Sequence, residues 1–294
     1  MERTKEREVP VNKLKILFNT SRPISWVNTA YPFALGYLMM GGAFDWRLIV
    51  GTLFFLIPYN LAMYGINDVF DYESDIRNPR KGGVEGAVTA KKHHPLIIWA
   101  SVLLSAPFVV ALLLAGTGLS ALTLGVVLFF VVAYSAKGLR FKEIPLLDSV
   151  TSSIHFVGPL VYAYSLVGAT PAGWVAAAAF FAWGIASQAF GAVQDIVPDR
   201  QAHIRSIATI LGGAWTTRFA AIMYLVAVVL VASLGGLALV VAAAGLAYVV
   251  NVAPFLHIKD TQAHLARTGW KRFLWINYLT GAVVTITCVA AITL

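Results

Sequence analysis

Residues 61–75 read L-A-M-Y-G-I-N-D-V-F-D-Y-E-S-D, an apolar run that ends in one asparagine and three aspartates. Asn67, Asp71 and Asp75 recur at i, i+4 and i+8, with Asp68 three before Asp71, so continued helix places these oxygen-bearing side chains on one broad face. Carboxylates that close repel one another, and positive charge must hold them. All-oxygen ligation of this kind suits a hard cation such as Mg²⁺ better than zinc. A second long apolar run repeats the device in S-Q-A-F-G-A-V-Q-D-I-V-P-D-R, where Asp195 and Asp199 are again four apart. Two such clusters facing each other across a cavity could share divalent ions, and a polyphosphate would complete the coordination. The plainer explanation, that acidic residues mark solvated helix ends, serves for a single aspartate.

The surrounding chain makes these motifs the mouths of membrane helices. Of 294 residues, 59% are hydrophobic and 12% charged, and the mean hydropathy is +0.75, outside the range of ordinary soluble domains. A helix needs about 20 apolar residues to cross the roughly 30 Å hydrocarbon layer. Nine stretches qualify: Ile24 to Met40, Arg47 to Ile66, Leu96 to Leu114, Ser120 to Tyr134, Leu147 to Val167, Trp174 to Val193, Trp215 to Ala232, Leu237 to Pro254 and Phe273 to Ala291. The expected fold is all-α: a polytopic membrane protein with nine transmembrane helices in one bundle around a central cavity, since open strand edges would go unsatisfied in lipid. Residues 1–20 read as an N-terminal cytoplasmic tail and 21–294 as a single transmembrane domain. No cleavable signal peptide is evident, and the lone Cys288 reads as a small buried hydrophobe.

Charge placement tests the nine-span count independently. The net charge of +8 does not signal nucleic acid, because the basic residues collect in alternate loops rather than along one soluble face. With the N-terminus in the cytoplasm, 21 of the 22 Lys and Arg residues fall on the cytoplasmic side, leaving only Arg47 opposite. Both acidic motifs then face the cytoplasm of a multi-pass cell-membrane protein, and the C-terminus lies on the other side. The long polar loop after the first motif is placed to cover it, with Gly82 to Gly86 permitting movement.

Carboxylate clusters beside many arginines and lysines are what a diphosphate requires, since metals bridge its oxygens while the basic side chains donate charge-assisted hydrogen bonds. A hydrocarbon interior behind that face accommodates an isoprenoid tail. Loss of diphosphate from an allylic chain leaves a carbocation that aromatic faces stabilise. Tyr59, Tyr64, Phe70, Tyr72 and Phe190 lie near the motifs in sequence, with interface or core packing the competing explanation for each. His155, a polar ring inside the fifth span, reads either as a proton acceptor, as a group orienting substrate, or as a satisfied core hydrogen bond.

On N-D-V-F-D-Y-E-S-D and D-I-V-P-D the chain resembles the UbiA superfamily of intramembrane prenyltransferases across nearly its whole length. The resemblance implies a nine-helix fold open sideways to lipid, in which Asn67, Asp68, Asp71, Asp75, Asp195 and Asp199 bind the Mg²⁺ that holds a prenyl diphosphate. Y-S-A-K-G-L-R-F-K resembles the family's loop after the fourth helix, making Tyr134, Lys137, Arg140 and Lys142 diphosphate contacts, with Arg22 of S-R-P another. The double proline common in aromatic-acceptor members is absent. S-R-P-I-S-W-V-N-T-A-Y-P-F, L-R-F-K-E-I-P-L-L-D-S-V-T-S-S-I-H-F and A-V-Q-D-I-V-P-D-R are similar to the lycopene elongase branch. That branch implies transfer of a C5 unit from dimethylallyl diphosphate to the ends of lycopene, with or without hydration, toward C50 carotenoids. Asp68, Asp71, Asp195, Asp199 and His155 are then the expected catalytic residues, acting beside membrane lipid and without nucleic acid. The alternatives are an aromatic or chlorin-type acceptor and, from another class, a transporter or lipid-binding scaffold.

Overall fold

The computed structural model of the chain describes residues 12–76 and 88–293. All regular structure in these residues is helical. The first helix, α1 (Lys13–Thr20), starts where the Asn12 side chain accepts from the Leu14 and Lys15 amides, and it packs on α4 (Pro58–Phe70) and α6 (His94–Ala115). Between α1 and α6 lie α2 (Val27–Met39), entered through a short turn at Pro23–Ser25, then α3 (Trp46–Leu56) and the short α5 (Tyr72–Asp75). The remainder comprises α7 (Gly118–Ser135), α8 (Leu147–Val167), α9 (Pro171–Val193), α10 (Ile196–Gln201), α11 (Ile207–Leu211), α12 (Gly213–Ala232), α13 (Ala238–Val252) and α14 (Ala266–Thr293). The covering loop at Gly82 to Gly86 lies outside the described residues.

Eight helical segments among the described residues are long and apolar enough to cross a membrane. The bundle is apolar outside and polar within: Trp99, Leu103, Leu114, Val229, Val250 and Ile286 are exposed, while Asn60, Asp148, Ser149 and Thr151 are buried. That inversion is the packing of a chain whose solvent is lipid, and the protein is a multi-pass membrane protein. The expected first crossing falls short by itself, since α2 has 13 residues. The second crossing, a single helix by hydropathy, is two.

Its break has a local cause. Pro58 has no amide hydrogen and its ring collides with the carbonyl four residues back, so α3 stops at Leu56 and α4 begins anew. The carbonyls of Phe55 and Leu56, which lipid cannot satisfy, accept from the side-chain amide of Asn60 at 2.8 and 3.1 Å. The same amide reaches Thr29 Oγ1 at 2.7 Å, and Thr29 donates to Phe55 O, tying α2 to the break.

Packing divides the bundle into two halves. One core gathers Phe33, Phe54, Phe55, Tyr59, Val127 and Tyr162 from α2, α3, α4, α7 and α8. The other gathers Phe190, Tyr224, Tyr248, Phe255 and Phe273 from α9, α12, α13 and α14, with the turn after α13. The halves join where α8 lies on α9, and close approach there depends on a missing side chain: a Cβ on Gly184 would fall 2.3 Å from Ser153 Oγ. Each half carries one acidic motif at a helix end.

Replacing Asn60 by Leu should destabilise the protein by about 1–3 kcal/mol, because the Leu56 carbonyl at the break loses its side-chain donor and the Phe55 carbonyl keeps only Thr29. Thermal unfolding in detergent measures this, and an unchanged midpoint would remove Asn60 from its role in holding the break.

Candidate active site

Both acidic motifs adopt one local geometry. The first does not continue as helix: Asp71 ends α4 and opens α5, with φ −96° and ψ −2°. Asp195 ends α9 and opens α10 with φ −99° and ψ 1°. In each case the first aspartate's carbonyl accepts from the amide of the aspartate four residues on, Asp75 to Asp71 and Asp199 to Asp195, both at 2.9 Å. The regular helix is interrupted at Asp71, so the carboxylates expected on one continuous helix are carried on two successive ones, Asp68 on α4 and Asp75 on α5, joined at Asp71. Asp68, Asp71, Asp75 and Asp195 are buried, and Asp199 is partly exposed.

A series of hydrogen bonds places the two motifs at the same end of the bundle. Ser135 at the end of α7 donates to Asn67 Oδ1 of the first motif at 2.9 Å. Its neighbour Tyr134 accepts from Gln188 Nε2 at 3.5 Å, and Gln188 Oε1 accepts from Ser152 of α8 at 3.0 Å. Gln188 precedes Asp195 by seven residues, two turns along α9. Asp148, buried at the start of α8, accepts from the Ser149 amide at 2.7 Å and from the Ile207 amide at 2.8 Å, so the segment after the second motif is anchored to α8. Arg200 donates to Asp260 and to the Thr209 carbonyl, fastening α10 to α11 and the α13–α14 connection.

Basic side chains converge on the first motif. The Arg22 guanidinium pairs with Asp68 Oδ1 at 2.7 Å and lies 4.2 Å from the centre of the Tyr64 ring. Lys142 pairs with Asp71, and Arg140 approaches Asp71 Oδ1 at 3.7 Å while pairing with Glu143. The Glu143 hydrogen bond, with its charge, raises the Arg140 pKa further above its ordinary value. Arg22 and Arg140 have φ of 49° and 44°, two of the four described non-glycine residues in the left-handed region. Such backbone costs about 1–3 kcal/mol per residue and clusters at working sites, here in the two arginines aimed at the same motif.

Lys137 is exposed and forms no ion pair with a described residue, so the structure does not bring it to the aspartates. His155 is buried, with Nε2 3.1 Å from the Phe130 carbonyl and its ring edge-on to Tyr134 at 5.1 Å. A carbonyl can only accept, so Nε2 carries the hydrogen and Nδ1 the lone pair. Among the aromatic candidates, Tyr59 packs on Phe54 and Phe55 and donates to the His155 carbonyl, and Phe190 packs on Phe255. Those two rings are core. Tyr64 faces Arg22, Tyr72 contacts His94 and Lys91, and Phe70 is exposed. Gln188, Asp148 and Arg200 had no place in the motif-based reading, although a carboxylate at the head of an apolar span is itself a signal.

Among the described residues no three carboxylate, imidazole or thiol groups come together as a ready-made metal cage. The donor chemistry nonetheless fits a hard cation: every acidic ligand is a carboxylate, Asn67 adds an amide oxygen, and no thiolate or imidazole competes.

Behind this end lies an elongated pocket of about 900 Å³, walled by α2, α8, α9, α12, α13 and α14. Its wall on α2 runs from Ile24 and Ser25, just after Arg22, to Met39 and Met40 at the other end. An acid-and-base site at the head of an apolar chamber defines a polytopic membrane protein built to hold a charged head and a hydrocarbon body together. The chain belongs to the UbiA prenyltransferase family, which it matches over residues 29–279. It is 50% identical over 282 residues to a lycopene elongase/hydratase of Corynebacterium glutamicum, covering 95% of this chain and 98% of that protein. A C(50) beta-cyclic carotenoids biosynthesis protein, LbtBC of Dietzia sp. (strain CQ4), is 52% identical over 286 residues, or 96% of this chain and 66% of the relative. The fold is similar to a UbiA homolog from Archaeoglobus fulgidus bound to GPP and Mg²⁺, with TM-score 0.67 and 18% identity over 92% of this chain and 99% of that one.

Replacing Asp148 by Ala leaves the buried Ile207 and Ser149 amides without their acceptor, at about 1–3 kcal/mol for each group. The melting point in detergent should fall, and protease cleavage between residues 196 and 212 should accelerate. Wild-type cleavage rates there would rule out Asp148 as the anchor.

Proposed function

We propose that the protein is a Mg²⁺-dependent lycopene elongase, which transfers the dimethylallyl group of dimethylallyl diphosphate to the ends of lycopene in C50 carotenoid synthesis. The observation that carries this is the convergence of Arg22, Arg140 and Lys142 on the first aspartate motif, beside a long apolar pocket whose wall begins just after Arg22, in a chain half identical to a lycopene elongase/hydratase over 95% of its length. An aromatic or chlorin-type acceptor would call for polar groups at the acceptor end, whereas the pocket lining is mostly apolar, which favours hydrocarbon. A transporter or scaffold would leave the two motifs without a shared purpose.

The membrane unit spans residues 21–294, with α1 lying at the interface. The turn at Pro23–Ser25 adds about 6 Å to the roughly 20 Å of α2, and together they make a ninth crossing. The motif end faces the cytoplasm by the distribution of Lys and Arg, and α14 ends on the opposite side. The pocket is the central cavity, open to lipid, and receives the acceptor.

Asn67, Asp68, Asp71, Asp75, Asp195 and Asp199 are the residues that would hold Mg²⁺, which when bound would offset the charge of the diphosphate and make it a better leaving group. Arg22, Arg140 and Lys142, already paired to Asp68 and Asp71, turn to the incoming phosphate oxygens, exchanging one anion for another. Lys137 meets the diphosphate from the solvent side, and Tyr134, held by Gln188, donates its hydroxyl to it. The allylic C–O bond breaks with its electron pair leaving on the diphosphate. The terminal alkene of lycopene attacks the allyl carbon, forming a C–C bond and a tertiary carbocation, which ends either in loss of a proton to the expelled diphosphate or in capture by water. His155 keeps the Tyr134 ring in place, and Tyr64 presents its face to the cationic end of the site. Since lycopene is symmetric, one site serves both ends in successive turnovers.

Asp71→Ala and Asp199→Ala should each lower diphosphate release by at least about 100-fold, the scale on which loss of one electrostatic contact to a developing charge is felt. Both variants should still insert and fold. Wild-type turnover in either one would remove the metal assignment. Arg140→Ala should weaken binding of dimethylallyl diphosphate about tenfold, equivalent to about 1.4 kcal/mol, as measured by titration. In a lycopene-producing host, mass analysis should show pigment gains of one and two C5 units; unaltered lycopene would reject the elongase reading.

A further inference from the structure

The wall of the pocket changes character along α2. At the end nearest Arg22 it presents Ser25 and Asn28, and farther on Leu35, Met39 and Met40. Asn28 is partly buried, and its carboxamide makes no hydrogen bond with a described residue. Several hydroxyls lining the same pocket are already engaged. Tyr31 pairs with Thr285 Oγ1 at 2.7 Å, Tyr164 donates to the Gly173 carbonyl at 3.2 Å, and Tyr248 donates to Asn277 Oδ1 at 2.8 Å.

A carboxamide offers two donors and an acceptor, and leaving them against hydrocarbon costs about 2–7 kcal/mol. Ser25 lies three residues before Asn28 on the same wall, and its hydroxyl, held by a hydrogen bond with Tyr64, has capacity for one more, which gives an ordered water the minimum of partners it needs. Depth is the other constraint. Asn28 follows Arg22 by six residues, about 10 Å along the axis at rises of 1.5–2.0 Å per residue. Arg22 marks the diphosphate end through its contact with Asp68, so Asn28 lies inward from it by roughly the combined length of a diphosphate and one isoprene unit.

We infer that Asn28, with Ser25, is the positioning residue for a water molecule that captures the tertiary carbocation left after the new C–C bond has formed. This rests on prenyl transfer to lycopene as set out above. The water oxygen bonds to the tertiary carbon, and the proton of the resulting oxonium passes to the expelled diphosphate, the base at that end of the site. Each modified end then gains C5H8 plus H2O, and atoms and charge balance without a further reactant. Where Asn28 is absent, the same cation loses a proton to the diphosphate and the end gains C5H8 alone.

The test compares wild type, Asn28→Leu and Asn28→Ser in membranes supplied with lycopene, dimethylallyl diphosphate and Mg²⁺ in ¹⁸O-water, with products resolved by mass. Wild type should give labelled C5H8-plus-water product. Asn28→Leu should lower the ratio of hydrated to non-hydrated product at least tenfold, and Asn28→Ser, which restores a hydroxyl, should recover part of it. An unchanged ratio in Asn28→Leu, or a wild-type product that gains C5H8 alone, overturns the role of Asn28. So does loss of all C5 addition in both variants, which would mark the residue as structural. A wild type that adds no C5 unit fails at the earlier step and overturns prenyl transfer itself.

Discussion

Five aspartates, Asp68, Asp71, Asp75, Asp148 and Asp195, are buried at one end of the bundle and set the terms for everything around them. A carboxylate taken out of water is tolerated only beside positive charge and hydrogen-bond donors. At Asp68 and Asp71 the chain meets that demand with cations from far apart in sequence: Arg22 from before the first crossing, and Arg140 and Lys142 from the loop after α7. Two of these three sit on left-handed backbone, so the loops carrying them are bent against their own preference to bring the charge in. Under the proposed function the same cations would serve a diphosphate, because an anionic ligand arriving with metal ions would replace one set of oxygens by another at little electrostatic disturbance.

The two-core packing explains how this end is built. Each half-bundle ends one long helix in an aspartate with near-identical backbone angles, and α8 against α9 joins the halves. Gln188, Ser152, Tyr134, Ser135 and Asn67 then bridge between the motifs through hydrogen bonds in a low-dielectric setting, where each is worth more than in water. Rigid support of this kind is what an ionising substrate requires, since groups aimed at developing charge should not have to move during the reaction. The pocket behind it runs nearly the length of α2, which matches a long hydrocarbon laid end-on to the site.

Several features were legible in the chain itself, and others were not. The fifth span was read as Leu147 to Val167, the bounds of α8, because a long apolar run between polar loops leaves a membrane helix no other choice. The second span hid a break: Pro58 was visible, but that Asn60 and Thr29 would satisfy the freed carbonyls depends on α2 packing beside it. The first motif was read as continuous helix on i, i+4 spacing, whereas the regular helix is interrupted at Asp71. Tyr59 and Phe190, near the motifs in sequence, face the core, since proximity along a helix does not say which side faces the site. Lys137 and Lys142 look alike in the sequence, yet the turn at Arg140 buries one against Asp71 and leaves the other in solvent.

By itself the sequence determined the solvent, the number of polar mouths and the chemistry of the ligands they offer. Hydropathy, charge sign and donor type are properties of each residue and survive without coordinates. Only the tertiary structure decided which cation meets which carboxylate, and that Asn28 lines the pocket without a hydrogen bond to any described residue. Those are relations between segments distant in the chain, set by helix packing and by backbone angles that no local pattern encodes.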